Sequence, residues 1–378
     1  MVDLATWQWV VSSEGESLLR EAASCNLDNV ADIARLRKEF DANQVHVALD
    51  LLEARRRATN KFGNRAATLI ADREGVEQAS SLRVAEYKAS RIGSVRVADL
   101  CCGIGGDAMA FDDVIACDTS AVRAWMAQQN ASCETRVCRA EDFDVSGMTI
   151  HIDPSRRGES GRAWKLDDYV PPPAAIRDMI DRCENACVKL GPGVDLNDAS
   201  DLTDDSEIEL ISENGRLTQA LLWTGSLATC HRRATLLTDA EPLSINANVL
   251  GEPPVAEVDR FLFEPDPSIE RAGLLGSLCM RLNGAVIHPA IGLLTGNDQV
   301  ADPWITTFEV IEQMPWRIDR IKSWLSENDG GIIEVKTRGS AVDTDKCQKQ
   351  LRGKGATSFV VFGLRFNQQI RAIITRRA

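Results

Sequence analysis

No apolar run in this chain approaches the roughly 18 residues needed to cross a bilayer, so a membrane-spanning helix is not expected. The eleven cysteines include no C-x-x-C pair, and the four histidines are widely scattered. Both absences argue against a disulfide framework and against a zinc site, and they point to a reducing cytoplasm. The N-terminus lacks a basic stretch leading into an apolar core; Asp3 and early glutamates stand there instead, so a secretory signal is not expected. Internal repeats and low-complexity tracts are also missing. What remains is an ordinary globular composition over 378 residues, enough for two or three domains, since single cores rarely exceed about 250–300 residues.

A net charge of −13 speaks against a uniformly basic surface, but the charge is uneven. Residues 331–378 carry ten Lys/Arg against three Asp/Glu, and Arg55, Arg56, Arg57, Lys61 and Arg65 form a second basic cluster. Residues 195–209 are strongly acidic. Such asymmetry suits a polyanion that meets selected faces; solvated helix faces would look the same.

Residues 1–92 read as helices, with Leu18, Leu19, Ala22 and Ala23 at helical spacing and a second apolar stretch from Val45 to Leu52. Lys61-Phe62-Gly63-Asn64 reads as a helix break, and Gly93 stops a last helix over 84–92. From 95 onward short apolar strands (95–101, 114–118, 135–138, 148–153, 186–190) alternate with helices at 119–130 and 174–185. Alternation of this kind predicts βαβ units and a parallel sheet. Glu213-Asn214-Gly215 then marks an antiparallel hairpin, and a strand at 232–237 closes the sheet domain. The resulting division is a helical domain at 1–92, a sheet domain at 93–240, a proline-bearing linker at 241–257 and a small α+β domain at 258–378. Within the last, a helix is expected at 268–282 and a β-α-β-β unit from about 332 onward.

Two motifs carry the chemistry. In Asp99-Leu100-Cys101-Cys102-Gly103-Ile104-Gly105-Gly106-Asp107 a buried strand runs into a glycine hinge, where missing Cβ atoms permit a tight turn and close ligand approach. The spacing also fits a dinucleotide fingerprint. Asp99 and Asp107, however, would crowd carboxylates around a pyrophosphate, whereas a cationic sulfonium and ammonium tolerate them. Asp118, at the end of the second strand, suits ribose hydroxyls or a helix cap. Asp142, after the third, suits an adenine amino group. The second motif, His151-Ile152-Asp153-Pro154-Ser155-Arg156-Arg157, ends another strand. Cys101 and Cys102 read as small core residues rather than nucleophiles, and His151 and His231, with no visible partner, read as structural.

Together these stretches resemble a bacterial family of class I S-adenosylmethionine-dependent methyltransferases with a C-terminal THUMP-like domain. Further matching stretches are Asp72-Arg73-Glu74-Gly75-Val76-Glu77-Gln78-Ala79, Val188-Lys189-Leu190-x-Pro192-Gly193 and Lys336-x-Arg338-Gly339. The resemblance implies a Rossmann-like α/β sheet, parallel with a terminal antiparallel hairpin, flanked by the helical and THUMP-like domains. It implies S-adenosylmethionine as cofactor, held by Asp99, Cys101, Gly103, Gly105, Asp118 and Asp142, and no metal. Asp153, Pro154 and Arg156 are then the catalytic candidates: in aminomethyltransferases with an Asp-Pro-Pro-aromatic motif, the Asp side chain orients an amino group toward the methyl carbon. Here Ser155 and Arg156 replace the second proline and the aromatic, so an arginine plane would stack or grip phosphate instead. The sheet domain is also similar to trimethylguanosine synthases, which implies that the helix around Tyr87 and Lys88 closes the cofactor pocket.

RNA is the implied partner and a base nitrogen the implied methyl acceptor. Competing readings are a non-catalytic RNA-binding protein on a relic cofactor fold, a methyltransferase of other substrates, and a nicotinamide-dependent oxidoreductase. The acidic hinge and the hairpin disfavour the last. No motif bears on oligomeric state.

Overall fold

The computed structural model describes residues 2–25, 30–155, 157–158, 161–162, 166–195, 202 and 205–378. They form two compact units, one of Met1–Ile208 with Gln219–Thr229, the other of Glu209–Thr218 with Cys230–Ala378.

The first unit begins with helices α1 (Leu4–Val11), α2 (Glu16–Ser24), α3 (Val30–Glu39) and α4 (Ala42–Phe62), then α5 (Arg73–Gln78) and α6 (Leu82–Ile92). Helix α4 starts in a capping box, Asp41 with Gln44, and ends at Gly63, whose φ of 53° is costly for residues bearing a Cβ. Its row Ala48, Leu51, Ala54, Ala58 and Phe62 is buried, matching a 3.6-residue period. That row shares one apolar core with Val122 and Met126 of α7 (Ala121–Ala131), so the early helices and the sheet region are packed as one body.

Strands β1 (Arg96–Leu100), β2 (Asp113–Asp118), β3 (Glu134–Val137) and β4 (Thr149–Ile152) are followed by two-residue strands β5 (Arg157–Gly158) and β6 (Gly161–Arg162). Helix α8 (Pro173–Arg182) leads to β7 (Asn185–Leu190), and the chain returns on β9 (Arg216–Trp223) after β8 (Glu207–Glu213). The sheet of this unit runs β9-β7-β4-β1-β2-β3. All its pairings are parallel except β7 with β9, where Cys187 faces Trp223 in antiparallel register. Central strands β4 and β7 are buried at every position, the polar His151 and Lys189 included. The carboxyl ends of β1, β2 and β4 lie side by side, where ligands bind in open α/β sheets. Between β1 and β2 only a single 3-10 turn, Ala108–Ala110, replaces a full helix.

In the second unit the Asn214-Gly215 turn has φ values of 51° and 74°, as the hairpin signal requires. Strand β10 (Arg232–Leu237) pairs with β11 (Leu243–Ala247), so part of the stretch expected to be a linker is a strand: Ser244 and Ile245 continue the ladder after the Pro242 turn. The helix expected at 268–282 is two, α9 (Pro267–Arg271) and α10 (Leu275–Leu282), because Gly273 at φ 72° breaks it. A seven-stranded sheet follows, ordered β13-β14-β12-β15-β18-β17-β16. Its strands are β12 (Phe261–Pro265), β13 (Ala285–Val286), β14 (Leu294–Gly296), β15 (Ile305–Pro315), β16 (Gly330–Thr337), β17 (Thr357–Phe366) and β18 (Gln369–Arg377). Helix α11 (Ile318–Glu327) precedes β16, and α12 (Thr344–Leu351) joins β16 to its parallel neighbour β17. Along β17, Phe359 and Val361 pack with both helices while Val360, Phe362 and Leu364 enter the opposite core, as the period of two dictates.

Candidate functional site

Where β1 ends, the backbone turns sharply, with Cys101, Gly103 and Gly105 at φ of 61°, 56° and 80°. At Gly105 a Cβ would come within 2.8 Å of the Ala127 backbone, so glycine is what lets α7 pass this close. At Gly103 a Cβ would meet nothing within 4 Å; this turn borders open space.

That space is a cavity of about 770 Å³, within the range of cofactor sites. The hinge from Cys101 to Ile104 lines it, as do Asp118, Ser120 and Arg123. Cys138 to Glu141, Asp153 to Ser155, and Val170 with Pro171 complete that side. Glu74, Glu77, Gln78 and Ala79 of the α5 segment form a further wall. Among the described residues the lining holds six carboxylates (Glu74, Glu77, Asp107, Asp118, Glu141, Asp153) against two guanidiniums, Arg123 and Arg139. A cavity so acidic suits a cation and disfavours a pyrophosphate.

Sequence alone does not assign the α5 wall to the site, because a six-residue helix carries too little apolar periodicity. Val76 anchors it in the α4 core, and two ammonium groups hold its C-terminal carbonyls. The Lys61 ammonium donates to the carbonyls of Val76, Glu77 and Ala79 at 2.9, 2.9 and 2.8 Å, and Lys189 donates to the Gln78 carbonyl at 3.2 Å. Carbonyls orphaned at a helix C-terminus are thereby satisfied, in favourable dipole geometry. Gly75 has no room for a Cβ, which would lie 2.1 Å from the Arg123 guanidinium; that arginine is in turn held by Asp72 at 2.7 Å.

The expected cofactor residues separate into two groups. Cys101, Gly103 and Asp118 line the cavity. The Asp118 carboxylate accepts from the Gly103 N–H at 3.0 Å and the Ser120 N–H at 2.9 Å, tying the hinge to the next strand. Asp99, Gly105 and Asp142 do not line it. Asp99 is register partner to His151 on neighbouring β4, so its side chain meets that imidazole beneath the hinge instead. Gly105 faces Ala127. Asp142 is exposed, because the 3-10 turn Ala140–Asp142 points successive side chains in different directions and presents Glu141 to the cavity. Burial raises the pKa of Glu141, but the Arg139 guanidinium at 2.7 Å outweighs this and lowers it overall. Burial also pushes the Cys101 and Cys102 thiols far up, with Asp118 and Asp99 adding to it, which keeps them protonated and poorly nucleophilic.

A buried polar chain runs inward from Asp107 in the floor. Lys88, with no exposed surface, forms an ion pair with Asp107, and its Nζ stands 3.0 Å from His151 Nε2. An ammonium only donates, so Nε2 accepts, and the proton sits on Nδ1, which donates to Asp99 Oδ1 at 2.7 Å. His151 therefore has two partners, 63 and 52 residues away in sequence, where local sequence shows none. Burial works against the Lys88 charge, but Asp107 overrides it and raises its pKa; burial works against Asp107 too, and Lys88 holds it well below the usual carboxylate range. Asp99 is raised, chiefly by burial. Tyr87 and Lys88 do not line the cavity; α6 supports its floor.

Asp153 and Pro154 line the cavity after β4, and Arg156 lies outside the described residues. Asp153 Oδ2 accepts from the Lys189 ammonium at 2.7 Å.

Both basic clusters are also placed. Arg55 donates to the Leu69 carbonyl, Arg56 and Arg57 pair with Glu53, Arg57 also with Glu77, and Arg65 donates to the Met109 carbonyl. In the second unit Lys336 pairs with Glu264, and Arg338 with Glu270 and Glu264. Lys346, Lys349, Arg352 and Lys354, on and just after α12, are exposed.

Residues 305–377 match the THUMP domain-like family model, and residues 3–58 match a domain of unknown function. Two uncharacterized S-adenosylmethionine-dependent methyltransferases of Mycobacterium tuberculosis, from strains CDC 1551 / Oshkosh and ATCC 25618 / H37Rv, are each 31% identical over 324 residues, covering 81% of this chain and 89% of theirs. The crystal structure of a proposed methyltransferase of Porphyromonas gingivalis W83 superposes with a TM-score of 0.72 at 18% identity, covering 99% of this chain and 98% of that one, a likeness of fold.

Proposed function

The chain belongs to the S-adenosylmethionine-dependent methyltransferase family, with a THUMP-like C-terminal domain, and from that premise we propose that it methylates a base nitrogen in cytoplasmic RNA. The observation that carries the proposal is the Asp153-Pro154 edge of the cavity. A carboxylate stands there with one oxygen held by Lys189, while no described residue engages Oδ1. An amino N–H donating to Oδ1 would direct the nitrogen lone pair into the cavity. Neutral base nitrogens need orientation more than deprotonation before they attack, and orientation is what a fixed carboxylate supplies.

S-adenosylmethionine, when bound, supplies a methyl group on a sulfonium that leaves readily. The cavity's residues suit it: Gly103 offers backbone without a side chain, Asp118 accepts from ribose hydroxyls, and the acidic lining favours its positive charge. Cys101 contributes its backbone at the turn. Asp99 supports the hinge through His151, and Glu141 is better placed than Asp142 for the adenine edge.

RNA as substrate is supported by the THUMP-like match and by the exposed row Lys346, Lys349, Arg352 and Lys354, which suits phosphate contacts. Lys336 and Arg338 are poorer candidates for that role, being paired internally. Mass spectrometry of nucleosides from cells with and without the protein tests the proposal. One N-methylated nucleoside should be missing from the deletion strain's RNA; an unchanged set would remove RNA as substrate.

A further inference from the structure

Lys189, next to last in strand β7, is almost wholly buried, 5% exposed, yet it bonds two residues that line the cavity. Its Nζ lies 2.7 Å from Asp153 Oδ2, in the loop after β4, and 3.2 Å from the Gln78 carbonyl oxygen, at the end of the α5 wall. The other captured carbonyls of that wall, Val76, Glu77 and Ala79, belong to Lys61. Among the described residues, Gln78 is thus the position where the wall is tied to the Asp153 edge rather than to α4.

We infer that Lys189 is a positioning residue that couples the α5 wall to Asp153, so that occupation of the cavity steadies the carboxylate that orients the methyl acceptor. The chemistry is specific to an ammonium. Its three donors reach a carbonyl and a carboxylate at once, and its charge keeps Oδ2 engaged, leaving Oδ1 as the acceptor's docking oxygen. An acceptor held through one N–H has one favoured direction of approach; a freely rotating carboxylate would offer several. Because Lys61 holds the wall independently, loss of Lys189 releases Asp153 without releasing α5.

The inference rests on the acceptor role proposed for Asp153, but its test needs no identified acceptor. Amide hydrogen exchange is followed in the full-length protein with and without S-adenosylhomocysteine. In the wild type, the product should slow exchange at Gln78 and Ala79 and also at Asp153 and Ser155, whose N–H groups donate to the Leu100 and Val170 carbonyls. In Lys189→Gln, protection at 78 and 79 should persist while that at 153 and 155 disappears, with calorimetric affinity for S-adenosylhomocysteine close to wild type. Lys189→Arg should restore it. With tritiated S-adenosylmethionine and RNA from the deletion strain, Lys189→Gln should lower kcat on the order of 100-fold, the scale of a misplaced orienting group, and Lys189→Arg should recover part of it. Equal protection at 153 and 155 in wild type and Lys189→Gln would overturn the coupling. So would a Lys189→Arg protein that behaves like Lys189→Gln, since a purely steric filler would account for that. If wild type transfers no label to RNA, the substrate reading fails, and the exchange experiment alone decides for or against Lys189.

Discussion

Two lysine–aspartate pairs bound this cavity, and they differ in what surrounds them. Lys88 and Asp107 are both buried, and the lysine also donates toward His151, so every described neighbour of that ammonium is part of the fold. Lys189 is buried as well, but its partner Asp153 keeps 26% of its side chain exposed, at the cavity edge. The first pair is all but closed, with 6% of the Asp107 side chain exposed in the floor. The second has a closed end and an open end, which is the form a group needs if it is to be held still and still meet a ligand.

The largest effect should come from breaking the enclosed pair. Lys88→Met leaves the Asp107 charge buried without its partner, and removal of one member of a buried pair costs about 3–5 kcal/mol. Denaturant unfolding checks this; a loss within the error of the method would mean that the floor tolerates an unpaired carboxylate. The same pair predicts an acid limb. The Asp107 pKa is depressed in the folded state, so its contribution is complete above the unfolded value of 3.8 and declines as pH falls below it. Asp107→Asn should be less stable than wild type at neutral pH and should show a shallower loss of stability below that value.

At the hinge, Asp118→Ala should weaken binding of S-adenosylhomocysteine by about 1–3 kcal/mol, the cost of leaving charge-assisted donors unpaired. Equal affinity by calorimetry would remove Asp118 from the ribose site. The smallest single effects belong to the exposed row on and just after α12. Each of Lys349→Ser, Arg352→Ser and Lys354→Ser should flatten the dependence of log K on log salt for RNA by roughly 0.7–0.9 for every phosphate left unneutralised. An unaltered slope in the triple variant would place RNA binding elsewhere.

The cavity is legible in the sequence to the extent that strands determine it. Buried parallel strands read as largely apolar stretches, and Gly103, Asp118 and Asp153 fall at or just beyond their ends. Much of the rest depends on pairings between distant residues. Lys189 and Asp153 are 36 residues apart, and Lys336 reaches Glu264 across 72, so local charge counts cannot separate free cations from engaged ones. The cluster from Arg55 to Arg65 reads as a polyanion site, yet its Lys61 caps α5. The choice between Glu141 and Asp142 turns on the direction of one 3-10 turn, which composition does not encode.

The proposed function depends most on Asp153 acting on the acceptor and not on the cofactor. The direct measurement sets Asp153→Ala beside wild type, with S-adenosylhomocysteine affinity from calorimetry and methyl transfer from tritiated S-adenosylmethionine to RNA of the deletion strain. The account predicts affinity within error of wild type and transfer lost through kcat. Wild-type transfer by Asp153→Ala, or loss of cofactor affinity in proportion to loss of transfer, would contradict it.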